Sequence, residues 1–146
     1  MESKTVSLLP TFYYSPYPTP LTCEILKDED DFWKIVEEFD YEKYDYNYER
    51  LYVKACAKYT EDELDIIKNT QFSFEIMFYN TYNMIEDSFR TDGDEFNDFI
   101  NLVISKGKTT FYKALHNRNY GIDLYNEHLE KFRSIPESYA YVFMMI

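Results

Sequence analysis

Apolar residues recur along the chain at helical rather than strand spacing. Phe32, Ile35, Val36 and Phe39 fall at i, i+3, i+4 and i+7, the stripe of an amphipathic helix. Asp28, Glu29, Asp30 and Asp31 precede or open it, where a helix N-terminus favours negative charge. A Tyr-rich stretch from Tyr41 to Tyr48 leads to a short predicted helix over 49–58, with Leu51, Tyr52 and Ala55 on one side. Thr60-Glu61-Asp62-Glu63 has the form of a capping box, so a long helix is expected to start there. Its stripe runs through Leu64, Ile67, Phe74, Met77, Phe78, Ile85 and Phe89, with a joint expected near Asn69-Thr70 because an unbroken helix of that length is unusual. Phe96, Phe99, Ile100 and Val103 mark a further helix, closed by Gly107, where a positive φ is easiest for glycine.

A short turn carrying Phe111, Ala114 and Leu115 is expected next, then a helix with Ile122, Tyr125, Leu129 and Phe132 inward. Ser134-Ile135-Pro136-Glu137 repeats the capping-box pattern with proline in the first turn. It predicts a last helix with Tyr139, Val142, Phe143 and Ile146 on one face. Only three glycines occur, and Asp92-Gly93 separates two helical patterns rather than two alternating strands. The expected fold is therefore all-α, a single compact multi-helix domain over residues 28–146. Residues 1–27 read as an N-terminal arm. Pro10, Pro16, Pro18 and Pro20 favour extended backbone there, and Phe12, Tyr13, Tyr14 and Tyr17 either lie against the domain or form a docking peptide. The same prolines interrupt the apolar opening, and no basic cluster precedes it, so a signal peptide is not expected.

Composition changes the picture in two ways. Aromatic residues make up 20% of the 146, with 16 Tyr and 12 Phe, so the core is expected to be built largely from rings. The net charge is −12 and the pI about 4.5, which argues against direct contact with nucleic acid or an anionic membrane. No apolar run approaches the ~18 residues of a spanning helix. Cys23 and Cys56 are too few for a disulfide scaffold, so a reducing, cytoplasmic setting is expected. The charge is uneven: residues 24–65 carry 15 acids and 6 bases, while residues 106–146 carry 4 acids and 6 bases. One strongly acidic side follows.

The residues Phe32-Trp33-Lys34-Ile35-Val36, and then the order from Thr60 to Leu115, resemble the bacterial family known as domain of unknown function 4240. That family opens with a Phe-Trp pair and later has the run F-x-x-F-R-x-W-L-I-x-x-G-[KR]-x-x-[YF]-x-x-A-L. Here Phe96, Phe99, Val103, Ile104, Gly107, Lys108, Phe111, Ala114 and Leu115 stand in register with it. The family's Arg and Trp are Ile100 and Leu102 here, and its acidic turn is replaced by Phe89-Arg90-Thr91-Asp92-Gly93-Asp94. The resemblance spans roughly residues 30–143 and implies a small helical bacterial domain; it transfers no activity.

Candidate chemistry is sparse. Gly107-Lys108-Thr109 is similar to the end of a phosphate-binding loop, but Leu102 stands where that loop needs its first glycine, so a helix cap is the reading adopted. Asp92-Gly93-Asp94-Glu95 lacks the alternating acids of a calcium loop and reads as a helix start. His116 and His128 have no ligand or triad spacing. Cys56, between Ala55 and Ala57, is expected to be buried and inert, and Trp33 to pack in the core. No metal or cofactor is implied, and an enzyme is disfavoured.

The strongest feature is the acidic run Asp28–Asp31 with Glu37, Glu38, Asp40, Glu42, Asp45 and Glu49, interleaved with Tyr41, Tyr44, Tyr46 and Tyr48; within it Asp28, Asp30, Asp31, Glu37, Glu38, Asp40, Tyr41, Tyr44, Asp45 and Tyr48 are the candidate partner-binding residues. Carboxylates steer a basic partner and tyrosines supply rigid contact area. The expected function is a small acidic interaction protein that binds and inhibits a basic protein, of the immunity or anti-defence type, such as a nuclease inhibitor. Two other classes stand beside it: an enzyme or small-ligand domain with a carboxylate site at Asp92, Asp94 and Asp98, and a self-associating structural or regulatory module.

Overall fold

Helix starts lie where the sequence offers acceptors for free amides. Asp28 accepts from the Asp31 amide at 3.0 Å and opens α1, Glu29–Glu38. Asn47 accepts from the amides of Glu49 and Arg50 and opens α2, Tyr48–Lys58. The Thr60 hydroxyl accepts from the Glu63 amide at 3.2 Å, while the Glu63 carboxylate accepts from the Thr60 amide at 2.9 Å. This reciprocal box opens α3, Glu61–Thr81. Three more helices follow: α4, Gly93–Ser105; α5, Lys108–His116; and α6, Arg118–Phe132. Two 3-10 turns, Glu42–Tyr44 and Tyr139–Tyr141, complete the order. These elements come from a computed structural model that describes residues 23–82, 93–132 and 139–143. The fold is all-α; among the described residues the only strand-like pairing is an isolated antiparallel bridge between Cys23 and Leu26. Among the same residues, no helix is long and apolar enough to cross a membrane.

The core is built from rings around α3. Phe74 lies 5.1 Å from both Phe32 and Trp33 of α1 and 5.5 Å from Phe111 of α5, centroid to centroid. A second cluster at the other end of α1 joins Phe39, Tyr41, Tyr59, Tyr139 and Phe143. There the Tyr139 hydroxyl donates to the Phe39 carbonyl at 2.8 Å. A buried phenol thus keeps a partner.

Several expectations change. No joint occurs at Asn69-Thr70, because the Thr70 hydroxyl donates to the Ile66 carbonyl and the Ser73 hydroxyl to the Asn69 carbonyl. Polar residues are thereby buried without interrupting α3. The expected turn with Phe111 and Ala114 is a nine-residue helix, α5. On α6 the buried set is Gly121, Leu124, Tyr125 and His128, with Ile122 and Leu129 only half-buried. Gly121 sits against Tyr82, whose hydroxyl bonds the Ala114 carbonyl, and this contact rotates α6 away from the expected stripe. Within the expected last helix the described residues Tyr139–Tyr141 form a 3-10 turn, with Tyr139, Val142 and Phe143 buried as anticipated. Leu26 is fully buried, so the end of the expected arm belongs to the domain. Cys56 is exposed, because α2 packs through Leu51 and Ala55 and one residue further turns about 100° away. Residues 1–22, Ile85, Phe89, the Ser134–Glu137 pattern and Ile146 lie outside the described residues.

Candidate functional site

α1 has one face in the core and one in water. Phe32, Trp33, Ile35 and Val36 are buried, whereas Asp30, Lys34, Glu37 and Glu38 are exposed. The acids of its first turn are already engaged. Asp28 caps the helix, and Asp31 accepts from the Lys27 amide at 2.9 Å. Glu29 accepts from Trp33 Nε1 at 2.9 Å and from the Tyr112 hydroxyl. Burial, and then this bond to the glutamate, push the Tyr112 phenol well above its ordinary range. Asp30 pairs with Lys108 at 2.9 Å across to α5. The hydrogen bond and charge of Lys108 hold the Asp30 carboxyl below its usual value.

Beyond α1 the chain reverses in a strained loop. Asp40 Oδ1 accepts from the amides of Glu42 and Lys43, at 3.1 and 3.3 Å. Asp45 and Tyr46 both adopt φ 58°, left-handed backbone that costs a non-glycine residue about 1–2 kcal/mol. Aspartate tolerates this conformation; tyrosine rarely does. Here it is held by the Tyr46 amide donating to the Tyr41 carbonyl at 2.8 Å, and the two rings meet at 5.3 Å. On the facing side, Gly107 at φ 103° separates α4 from α5.

Between these two corners lies a cleft of about 650 Å³. Asp30, Trp33, Lys34 and Glu37 of α1 form one wall, Asp40, Glu42 and Tyr46 the end, and Ser105 to Thr110 the other wall. Four carboxylates face three ammonium groups, those of Lys34, Lys106 and Lys108. Burial pulls the Lys106 ammonium down, opposed by Glu42, Glu127 and Asp40. Burial and the nearby charges of Glu42 and Asp40 push the Tyr46 phenol up. The Glu37–Asp40–Glu42 end is therefore the negative part of the cleft, with a half-buried aromatic ring beside it, which suits a cationic side chain.

The structure brings only some of the expected partner-binding residues together. Asp30, Glu37 and Asp40 line the cleft. Glu38 instead pairs with Lys58 of α2, at 2.7 Å from its Oε1. Asp45 is exposed beside Arg50, and Tyr48 packs on Tyr141. Tyr44 is half-buried under Arg50 and Lys54. Tyr41 is 1% exposed, so its ring is part of the core and offers no contact area. Glu42 and Tyr46, both in the acidic, tyrosine-rich stretch singled out from the sequence, line the cleft as well; Lys34 and Lys106 were not anticipated, and the glycine after Lys106 was the available signal.

For the carboxylate alternative, Asp92 and the side chain of Asp94 lie outside the described residues. Asp98 is half-buried on α4 and does not line the cleft. Gly107-Lys108-Thr109 joins two helices, without the preceding strand of a phosphate-binding loop. Among the described residues, no group of three or more His, Cys, Asp or Glu could hold a metal ion. His128 is buried, with Nδ1 2.9 Å from the Leu124 carbonyl, and burial lowers its pKa.

The chain matches no protein-family model, no curated protein and no solved structure. The run that resembles the bacterial family has a packing explanation of its own, since Phe96, Phe99, Val103, Ile104, Phe111 and Ala114 are all fully buried.

Proposed function

We propose that this protein is an acidic interaction module that binds and inhibits a basic protein, of the immunity or anti-defence type, with the α1 face and its cleft as the docking surface. The observation that carries this reading is the cleft's Glu37–Asp40–Glu42 end, where carboxylates from α1 and the following turn line the same cleft as Tyr46. A lysine or arginine entering there would find charge and an aromatic face together. The flanking exposed acids Asp45 and Glu49 extend the negative field that steers such a partner.

The test is capture of partners from the source cell with the tagged protein at low and moderate salt. It is run beside a variant carrying Glu37→Lys and Glu42→Lys, neither of whose side chains caps a helix. A basic protein that is retained at low salt, lost as salt rises and absent with the variant supports the reading. Its activity should also fall when the purified protein is added. Partners that bind the charge-reversed variant equally well would rule the acidic face out.

A further inference from the structure

α3 buries a row of polar side chains where it meets α4. Gln71 is 1% exposed, Glu75 9% and, facing them from α4, Asn101 0%. Gln71 Nε2 donates to Asn101 Oδ1 at 2.7 Å, and Asn101 Nδ2 donates to the Asn97 carbonyl at 3.1 Å. The Asn101 side chain also favours the ionised Glu75 carboxyl, against the burial that opposes it. These bonds fix the amide orientations. The Asn97 carbonyl can only accept, so Asn101 turns Nδ2 toward it and Oδ1 toward Gln71, and Gln71 must answer with Nε2. Gln71 Oε1 is then left buried with no hydrogen-bond partner. A buried acceptor in that state costs about 1–3 kcal/mol.

Glu75 follows Gln71 by four residues, one turn along the same face of α3. As a carboxylate it can only accept, and it adds a buried negative charge beside an orphaned oxygen. As a carboxylic acid it has an O–H to give. We propose that Glu75 is a proton-operated latch between α3 and α4: protonated, it donates to Gln71 Oε1 and closes a Gln71–Asn101–Glu75 ring; ionised, it leaves that oxygen unpaired and loosens the helix pair. The proton comes from solvent and returns to it. Burial pushes the Glu75 carboxyl up to about 7, opposed by Lys68 and by the Asn101 side chain. Lys68 lies two turns earlier on the same helix; from α4, half-buried Asp98 lies one turn before Asn101 and carries a like charge. One turn beyond Asn101 stands Ser105 in the cleft wall, so loosening of α4 reaches the cleft, whatever occupies it.

The test is amide hydrogen exchange on the full chain at about pH 5 and about pH 8, corrected for intrinsic exchange rates. The latch predicts that protection of residues 97–105 falls roughly a hundredfold between them, one decade for each pH unit over which only the closed form holds the proton. Glu75→Gln, whose amide donates at every pH, should abolish the difference. Equal wild-type protection at both pH values, or an unchanged slope in Glu75→Gln, would overturn the proposal. Should that variant not fold, the carboxyl carbon of Glu75 can be followed by NMR in the wild type and in Gln71→Met. A midpoint near neutrality that moves down when the acceptor is removed supports the latch; an ordinary glutamate midpoint, or one indifferent to Gln71→Met, refutes it.

Discussion

The two sides of α3 solve opposite problems with the same backbone. Toward α1 and α5 it presents Phe74 and Phe78, packed on Phe32, Trp33 and Phe111. Toward α4 it presents Gln71, bonded to Asn101, and the buried Glu75 one turn on. The aromatic side is held by buried area and ring contacts, which depend on shape and are indifferent to protons. Ring contacts of Phe78 on Phe99 and of Tyr79 on Phe96 also reach α4, but the polar side adds hydrogen bonds in a medium of low dielectric, where each satisfied group strengthens its neighbours and each unsatisfied one is costly. Volume decides the first side, and protonation state the second.

The largest effect should come from the aromatic side. Phe74→Ala removes a ring that contacts three others, and should destabilise the protein by about 3–5 kcal/mol. Chemical denaturation should show the same loss at acid and at neutral pH. A loss that varied with pH would break the separation between the two sides.

On the polar side the expected effect is about 3 kcal/mol, and its sign depends on pH. Folding raises the Glu75 carboxyl from the ordinary 4.5 to about 7, so between those values the folded state holds a proton that the unfolded state has released. Stability is greatest below the lower value, falls as pH rises through about 7 and is flat beyond. At about 1.4 kcal/mol per unit, the wild type should lose roughly 3 kcal/mol across that window. Glu75→Gln should lose far less, measured by denaturant midpoints at several pH values.

A smaller effect belongs to the C-terminal end of α3. A Cβ on Gly121 would lie 2.0 Å from Tyr82 Oη and 2.8 Å from its Cζ. The ring cannot swing aside easily, because it stacks on Phe78 with centroids 4.6 Å apart and its hydroxyl bonds Ala114. Gly121→Ala should therefore cost about 1–3 kcal/mol by overpacking, and the companion change Tyr82→Phe should recover part of it in thermal unfolding. Smallest is the N-terminal end, where Thr60→Ala removes one half of the capping box. A loss of about 1 kcal/mol is expected, with no dependence on pH near neutrality.

How much of this was legible follows from the range of each interaction. The Thr60–Glu63 box could be read because both of its bonds close within four residues. The α1 stripe could be read because one face of a single helix repeats itself. Cys56 was misread from its neighbours Ala55 and Ala57, although the one apolar side of α2 read through Leu51, Tyr52 and Ala55 already turned it away, and Ala55 is fully buried while Cys56 is exposed. A joint was expected near Asn69 and Thr70 because an unbroken helix of that length is unusual; the hydroxyl bonds of Thr70 and Ser73 that accommodate polar residues inside α3 depend on burial from outside. Tyr41 and Tyr46 are alike in sequence, yet one lies in the core and the other lines the cleft. What separates them is the paired left-handed backbone at Asp45 and Tyr46.

The sequence by itself determined the helical class, the starts of α1 and α3, the ring-rich core and the surplus of negative charge. These depend on composition and on contacts a few residues long. The tertiary structure alone decided that Glu37, Asp40 and Glu42 meet Lys106 across one cleft, and that Gln71 meets Asn101 with Glu75 buried one turn away. Groups separated by some thirty residues or more become partners only when the packed helices bring them together and exclude the water that would otherwise satisfy each alone.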